Sequence, residues 1–361
     1  MAEERGNSQE YMATGAGFLA ELPLAELSAA EAEAMAARHF GFHGRATRLA
    51  GGRYLAFHLA TEDGRGFVLQ VLHPAEEPGL AHFQTVTLLN LARAHPELPV
   101  PRLHRPLCGR GAEATAGIGG QSCRLRLLDH LPGRPMHLTA PCHRQRRAVG
   151  TMLAQLDRGL AEQADGADPK PSGLPVRRMA GLWKLITSLP QIGDRGLAAG
   201  LLERFERNLA PRLLRLPVQP VHLELIRRNL RVSEDDHAAI IGITGFEALA
   251  YAPSVDALAR ACADQLQPEG HPLAGPGDVV EAFHALRPLR PEELDLLAGL
   301  IAAHVVMVTI QHAWTLSRRR AEAPDVRHDY AHALSGLRRL GVLPQDEAET
   351  YLRRRIAAAR T

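Results

Sequence analysis

The chain has 361 residues, 45% of them hydrophobic and 23% charged, with 42 Lys+Arg against 40 Asp+Glu and a formal net charge of +2. A chain this long buries roughly 75% of its unfolded surface and needs no disulfide or metal staple. Near-neutrality gives no basic footprint for nucleic acid and no drive toward an anionic membrane, so neither partner is expected.

The cationic residues are almost all arginine. The sequence contains two lysines, Lys170 and Lys184, so the N-terminal half can supply no phosphate-holding or Schiff-base lysine. Cys108, Cys123, Cys142 and Cys262 form no CxxC pair, and the polar start MAEERGNSQE is not a signal peptide, which predicts a reducing cytoplasm. Leu296 to Ser317 lacks Asp, Glu, Lys and Arg but carries His304, Thr309, Gln311 and His312; these would be costly in lipid, so a buried helix is expected.

In chain order, residues 1–22 are small and polar and predict a disordered tail. Ser28 to Arg38 is Ala/Glu-rich and predicts a first helix with Ser28 as N-cap. Residues 46–73 predict two strands: ATRLAGGRYLAFHLA, a turn at Asp63-Gly64, then FVLQVLH. Residues 79–94 predict an amphipathic helix. A proline-led strand follows, then a turn at Gly117, Gly119 and Gly120, and the strand CRLRLLDHL, closed by Pro132-Gly133.

Beyond that breaker the pattern turns helical, near 142–163, 178–188, 194–213, 254–265, 277–286, 291–317, 327–340 and 345–359. One β-like island interrupts it: VHLELIRRNLRV, the turn SEDDH, and AAIIGITGFEALAY. The expected division is a tail (1–22), an α/β lobe (23–133) and a helical lobe (134–361), an α+β arrangement.

This order of local sequences resembles the aminoglycoside phosphotransferase/choline kinase-like family, in its hydroxylysine kinase-like branch. HFGFHGRATRL, FVLQVLHP, FQTVTLLNLA, LPVPRL, RLRLLDHLPGRP, VHLELIRRNLRV and the segment ending FEALAYAPSVDALA carry the resemblance, over roughly residues 38–320. It implies a two-lobed, protein-kinase-like α+β fold, with a small β-rich N-lobe and a larger helical C-lobe. It also implies phosphoryl transfer by positioning and charge neutralisation.

The residues that would carry that chemistry are altered. Where the family has V-L-K-V, the chain reads Val68-Leu69-Gln70-Val71, and a neutral amide cannot supply the lysine's cation. Gln84, on the following helix, is expected to face Gln70 in place of an ion pair. The HxDxxxxN motif reads His222-Leu223-Glu224 to Asn229: His222 and Asn229 match, and Glu224 replaces Asp with a carboxylate about 1 Å displaced, a misplacement that can cost on the order of 10²-fold. The metal-binding Asp of I-D-F-G-D aligns with Gly245. Glu247, on the same face if the segment is extended, is expected to substitute in part. The nucleotide-covering hairpin carries apolar Tyr54, Leu55 and Ala56.

These losses predict a phosphotransferase-like protein without ATP, magnesium or any other cofactor or metal. It would be either a small-molecule-binding pseudokinase or an ATP-independent acid–base enzyme, with Glu224 and His222 as candidate catalytic groups and Gln70, Asn229, Glu247 and Tyr54 lining the cleft. The alternative is a divergent ATP-dependent small-molecule kinase. Oligomeric state is left open. The pairs His39/His43 and His328/His332 offer too few ligands for zinc. Trp183 and Trp314 are expected in the core, and Arg318–Arg320 and Arg353–Arg355 at solvated helix ends.

Overall fold

The computed structural model describes residues 26–49, 54–109, 111–163, 179, 181–318 and 324–358. The expected tail, Gly51 to Arg53 of the hairpin, Lys170, Arg319 and Arg320 lie outside the described residues. The chain divides into two compact units. The first is the chain up to Arg134 with Leu230–Glu234 and Ile241–Ala248; the second is Pro135–Asn229, Asp235–Ile240 and Leu249–Thr361.

The first unit opens with helix α1 (Ala29–Phe40). Ser28 Oγ accepts from the Glu31 amide and the Glu31 carboxylate accepts from the Ser28 amide, a capping box that satisfies two otherwise orphaned donors. Strands β1 (Arg45–Arg48), β2 (Leu55–Ala60) and β3 (Gly66–Val71) follow. The run ATRLAGGRYLAFHLA, expected as one strand, is therefore two. Arg45 pairs with Ala60 and Arg48 with Phe57, antiparallel, because Gly-Gly is a poor strand sequence and separates the two β-prone halves. Asp63-Gly64 turns β2 into β3 as expected.

Helix α2 (Pro78–Ala94) leads to β4 (Leu103–His104), β5 (Ala114–Ile118) and β6 (Gln121–Asp129). Gly117 belongs to β5, so Gly119-Gly120 alone make that turn. The sheet runs β1-β2-β3-β6-β4, with β5 also on β6. Strand alternation sorts its two faces. Phe57, Leu59, Phe67, Leu69, Val71, Leu125 and Leu127 bury against Ala32, Ala36 and Phe40 of α1. The residues between them, Ala56, Gln70 and Arg126, line up across β2, β3 and β6 on the opposite face.

After the short strand β7 (Arg134–Pro135), the second unit contains α3 (His143–Ala161), α4 (Ile192–Arg204), a π-helical turn (Phe205–Leu209) and α5 (Ala210–Leu213). Of the helix expected over 178–188, residues 179, 181 and 182 are α-helical, and a turn over 183–185 and a 3-10 turn at Ile186–Ser188 follow. Pro190, just beyond, cannot continue a helix.

The β-like island supplies β8 (Gln219–His222), β9 (Leu230–Val232), β10 (Ile240–Ile243) and β11 (Leu249–Ala252). Strands β8 and β11 pair antiparallel, and β7, β9 and β10 form a small sheet in the order β10-β9-β7. Strand β9 and residues Ile241–Ile243 of β10 belong to the first unit, and helices α6 (Ser254–Ala263), α7 (Ala274–Leu286), α8 (Pro291–Arg318), α9 (Pro324–Gly341) and α10 (Gln345–Ala358) complete the second.

Helices α3 and α7 pack closely at Gly150, where a Cβ would stand 2.1 Å from the Val279 carbonyl oxygen. Residues Pro291–Ser317 of α8 are long and apolar enough to cross a membrane by length and composition, yet 78% of that apolar window is buried inside the protein. His304 of α8 pairs with Asp256 of α6 at 2.9 Å within that interior. Trp314 is core, as expected; Trp183 is not, being 36% exposed with its indole N–H on Glu206 at 2.6 Å. Arg353 and Arg355 are not simply solvated: Arg353 pairs with Asp295, and Arg355 with Glu281 and Asp278. All four cysteines are free.

Asp157 of α3, 2% exposed, is the hub of the second unit's polar interior. It accepts from Ser254 Oγ at 2.6 Å and Gln219 Nε2 at 3.0 Å, and pairs with Arg287 at 2.8 Å. Burial pushes its carboxyl up to about 6, against the opposing pull of Arg287 and Ser254. Through Gln219 this hub fixes β8, the strand that delivers the His222–Asn229 segment.

Candidate functional site

In the second unit, β8 ends at His222, which is 1% exposed. Its Nδ1 accepts from the Glu224 backbone N–H at 3.3 Å, so the ring holds the turn rather than facing solvent. Asn229 closes the same turn, its Nδ2 donating to the Glu224 carbonyl at 2.9 Å. His222, Glu224 and Asn229 are thus brought together, the first and last gripping the backbone on which Glu224 stands.

Arg227 anchors the segment further. Its backbone N–H donates to Asp264 at 2.9 Å, and its guanidinium reaches the carbonyls of Met136 and Thr139. Burial lowers the Arg227 pKa and raises that of Asp264. The Glu224 carboxylate itself makes no hydrogen bond or ion pair among the described residues, whereas Arg228 beside it is paired with Asp329.

In the first unit, Gln70 sits on β3 directly between Ala56 and Arg126. The expected Gln70–Gln84 partnership is not formed. Gln84 is 2% exposed; its Oε1 accepts from the Tyr54 hydroxyl at 3.0 Å and its Nε2 donates to the Glu247 carbonyl at 2.8 Å. Both ends of the amide are used, and Gln70 makes no side-chain hydrogen bond among the described residues. Tyr54 is buried, packed with Leu72 and Ala81, its ring 6.0 Å from the Arg126 guanidinium carbon. It is a buried packing element in the bend that precedes β2.

The expectation for Glu247 rested on an extended segment, and the segment is not extended. Gly245 has φ 86° and Phe246–Ala248 is a 3-10 turn, so alternation does not place Glu247 on the face of residue 245. The Glu247 backbone oxygen holds Gln84 instead. A φ in this range favours glycine and tolerates Asp or Asn better than most side chains.

Two groups on the Gln70 face were not expected. Arg126, directly opposite Gln70 on β6 and 4% exposed, donates from Nε to Glu113 at 2.8 Å and from Nη2 to the Ala81 carbonyl at 2.6 Å. Glu113 also accepts from Thr85 Oγ1 and lies 3.6 Å from Arg124. The signal was legible: CRLRLLDHL alternates Arg with Leu, and a period of two puts Arg124 and Arg126 together on the face away from the apolar core.

Position 70 carries no cation, the guanidinium beside it is committed to Glu113 and a carbonyl, and residue 245 offers no side-chain ligand atom. Among the described residues no group of three His, Cys, Asp or Glu could hold a metal ion.

Residues 45–268 match the phosphotransferase enzyme family (APH). The chain is 23% identical to hydroxylysine kinase of Mus musculus over 271 residues, 71% of either chain. Among solved structures it resembles an amicoumacin kinase determined with AMP-PNP and calcium (TM-score 0.62, 14% identity, 88% of this chain and 92% of that one). It also resembles a microcompartment-associated aminopropanol kinase (TM-score 0.55, 13% identity, 87% and 94%). The α+β fold, with a β-rich N-terminal region and a helical C-terminal region, is that of the kinase-like enzymes, and the chain belongs to the phosphotransferase enzyme family.

Proposed function

We propose that this family member has lost magnesium-ATP use and acts as a small-molecule-binding protein, with the Glu224 segment as its ligand site. The observation that carries this reading is the state of the Gln70 face. The residue in the lysine place is an amide, and the one guanidinium across from it is neutralised within the fold by Glu113. A phosphate there would have to displace Glu113 from a buried cation, and breaking a buried pair costs about 3–5 kcal/mol.

One observation favours a second reading, ATP-independent acid–base catalysis. The Glu224 carboxylate is unpaired and stands on a backbone held at both ends, which is how a general acid or base is positioned. The relatives named above are kinases, and phosphoryl transfer from ATP is the alternative against which both readings are set.

Thermal-shift measurements on the full chain separate them. A ligand at 100 times its dissociation constant stabilises by about 2.7 kcal/mol. Metabolite pools are expected to raise the melting temperature and magnesium-ATP to leave it unchanged; a magnesium-dependent shift with millimolar ATP would overturn the proposal. If a reaction is found, Glu224→Gln should abolish it while keeping binding. Turnover surviving that change removes the acid–base reading.

A further inference from the structure

Strands β1 and β5 both lie at edges of the first unit's sheet, and the two edges differ. The β1 edge is protected. It reads Arg45-Ala46-Thr47-Arg48, and the Ala46 N–H donates to the Glu33 carboxylate of α1 at 2.8 Å. Charged side chains and a capped backbone keep a strand edge from pairing with another chain. The β5 edge reads Ala114-Thr115-Ala116-Gly117-Ile118, with no charge and no proline.

The ladder fixes which backbone groups of β5 are free. Along an antiparallel pair, one residue pair exchanges both hydrogen bonds and the next turns its backbone groups away. Thr115 stands opposite Arg124, and Gly117 opposite Ser122. The Arg124 carbonyl accepts from the Leu72 N–H at 2.9 Å, on the β3 side of β6. Arg124 therefore turns away from β5, and Thr115 and Gly117, in the same phase, turn away from β6. Both residues are exposed, and their outward backbone groups make no hydrogen bond among the described residues. Beside this edge runs a groove of about 320 Å³, lined by Thr115, Ala116 and Gly117 and by Glu31, Met35 and Arg38 of α1.

We propose that the β5 edge is a dimer interface whose partner is a second copy of this chain, paired antiparallel about a two-fold axis through Ala116. That axis sets Thr115 opposite Gly117 of the second copy, and Gly117 opposite its Thr115. Each pair exchanges both hydrogen bonds, so every free backbone group of the two residues is used. Ala116 meets Ala116 at the axis, and Gly117 puts no side chain against Thr115. The charges along the groove match as well. Glu31, Met35 and Arg38 are spaced i, i+4 and i+7 and share one flank of α1. The axis runs the two copies of this flank antiparallel, so Glu31 faces the second copy's Arg38. Glu31 caps Ser28 with Oε2 alone, which leaves Oε1 for this contact, and Arg38 makes no ion pair among the described residues. An unrelated strand would use the backbone groups of β5 but would lack this reciprocal charge match.

The test is sedimentation velocity and light scattering on the full chain, from micromolar to submillimolar concentration. The mass is expected to rise with concentration toward twice that of the chain. Thr115→Pro removes an outward donor that β6 does not use, a placement proline tolerates at a sheet edge. It should hold the mass at one chain throughout and leave the melting temperature of the dilute protein unchanged.

Arg38→Glu and Glu31→Lys test the identity of the partner. Each variant alone sets like charges together twice and should weaken self-association about tenfold or more. Mixed in equal amounts, the two should associate again, because each altered charge then meets its opposite across the axis. Circular dichroism checks the fold of Glu31→Lys, which loses its helix cap. A chain that stays monomeric at every concentration, a dimer that survives Thr115→Pro, or a mixture that does not reassociate would each overturn the proposal. If Thr115→Pro fails to fold, the charge-reversal mixture decides alone.

Discussion

The Gln70 face and the Glu224 segment differ in how their polar groups are satisfied. At the Glu224 segment the backbone is held locally: His222 and Asn229 grip it, and Arg227 is anchored to two carbonyls and to Asp264. The Glu224 carboxylate makes no hydrogen bond or ion pair among the described residues. In the first unit the Arg126 charge is answered by Glu113 and the Ala81 carbonyl, and the Gln84 amide by Tyr54 and the Glu247 carbonyl. A polar group satisfied by its own fold adds stability, and one left unsatisfied adds a demand for a ligand. The same chain therefore reads as packed at one site and open at the other.

The sharpest way to break this comparison is to remove Glu113. If Arg126 belongs to the packing, Glu113→Ala strands a buried guanidinium and should cost about 3 kcal/mol in urea unfolding at unchanged m-value. Replacing the pair together, Arg126→Met with Glu113→Leu, should recover most of that loss. A cost below about 1 kcal/mol for Glu113→Ala would mean that the cation is not held by the fold and is free for phosphate.

A smaller effect, of opposite sign to the usual carboxylate, is expected at Asp157. Its native pKa of about 6 lies above the ordinary Asp value, so between about pH 4 and 6 the folded state binds more protons than the unfolded one. Stability contributed by this group is greatest at the acid end and declines as pH rises through 6, by on the order of 2–3 kcal/mol. Unfolding free energies of the wild type and Asp157→Asn, compared across this window, should converge toward one end rather than run parallel. Parallel profiles would show that Asp157 titrates normally.

The smallest effect concerns Tyr54. Tyr54→Phe keeps the ring between Leu72, Ala81 and Arg126 and deletes one buried hydrogen bond to Gln84, which should cost about 1 kcal/mol. If Tyr54 were instead an exposed contact of a bound molecule, the change would leave stability untouched and alter only binding.

Much of the fold was legible because its signals are local. Ser28 with Glu31 marks a helix start, Asp63-Gly64 a hairpin, and the charge-free stretch from Leu296 a buried helix. The motif His222-Leu223-Glu224 to Asn229 was legible as a segment for the same reason, since its hydrogen bonds close within eight residues. What sequence missed was long-range. Gln84 has the right type and position to face Gln70, but its partners are Tyr54 and Glu247, 30 and 163 residues away. Gly245 and the 3-10 turn after it defeat the alternation argument for Glu247, because a positive φ reorients the chain in a way residue spacing does not reveal.

The most direct measurement is a calorimetric titration of the full chain with AMP-PNP in the presence of magnesium. A face whose cations are all committed within the fold should give no saturable heat at millimolar nucleotide, with or without the metal. Saturable, magnesium-dependent binding would contradict the account, because a phosphate would then have found a cation that the Gln70 face holds for itself.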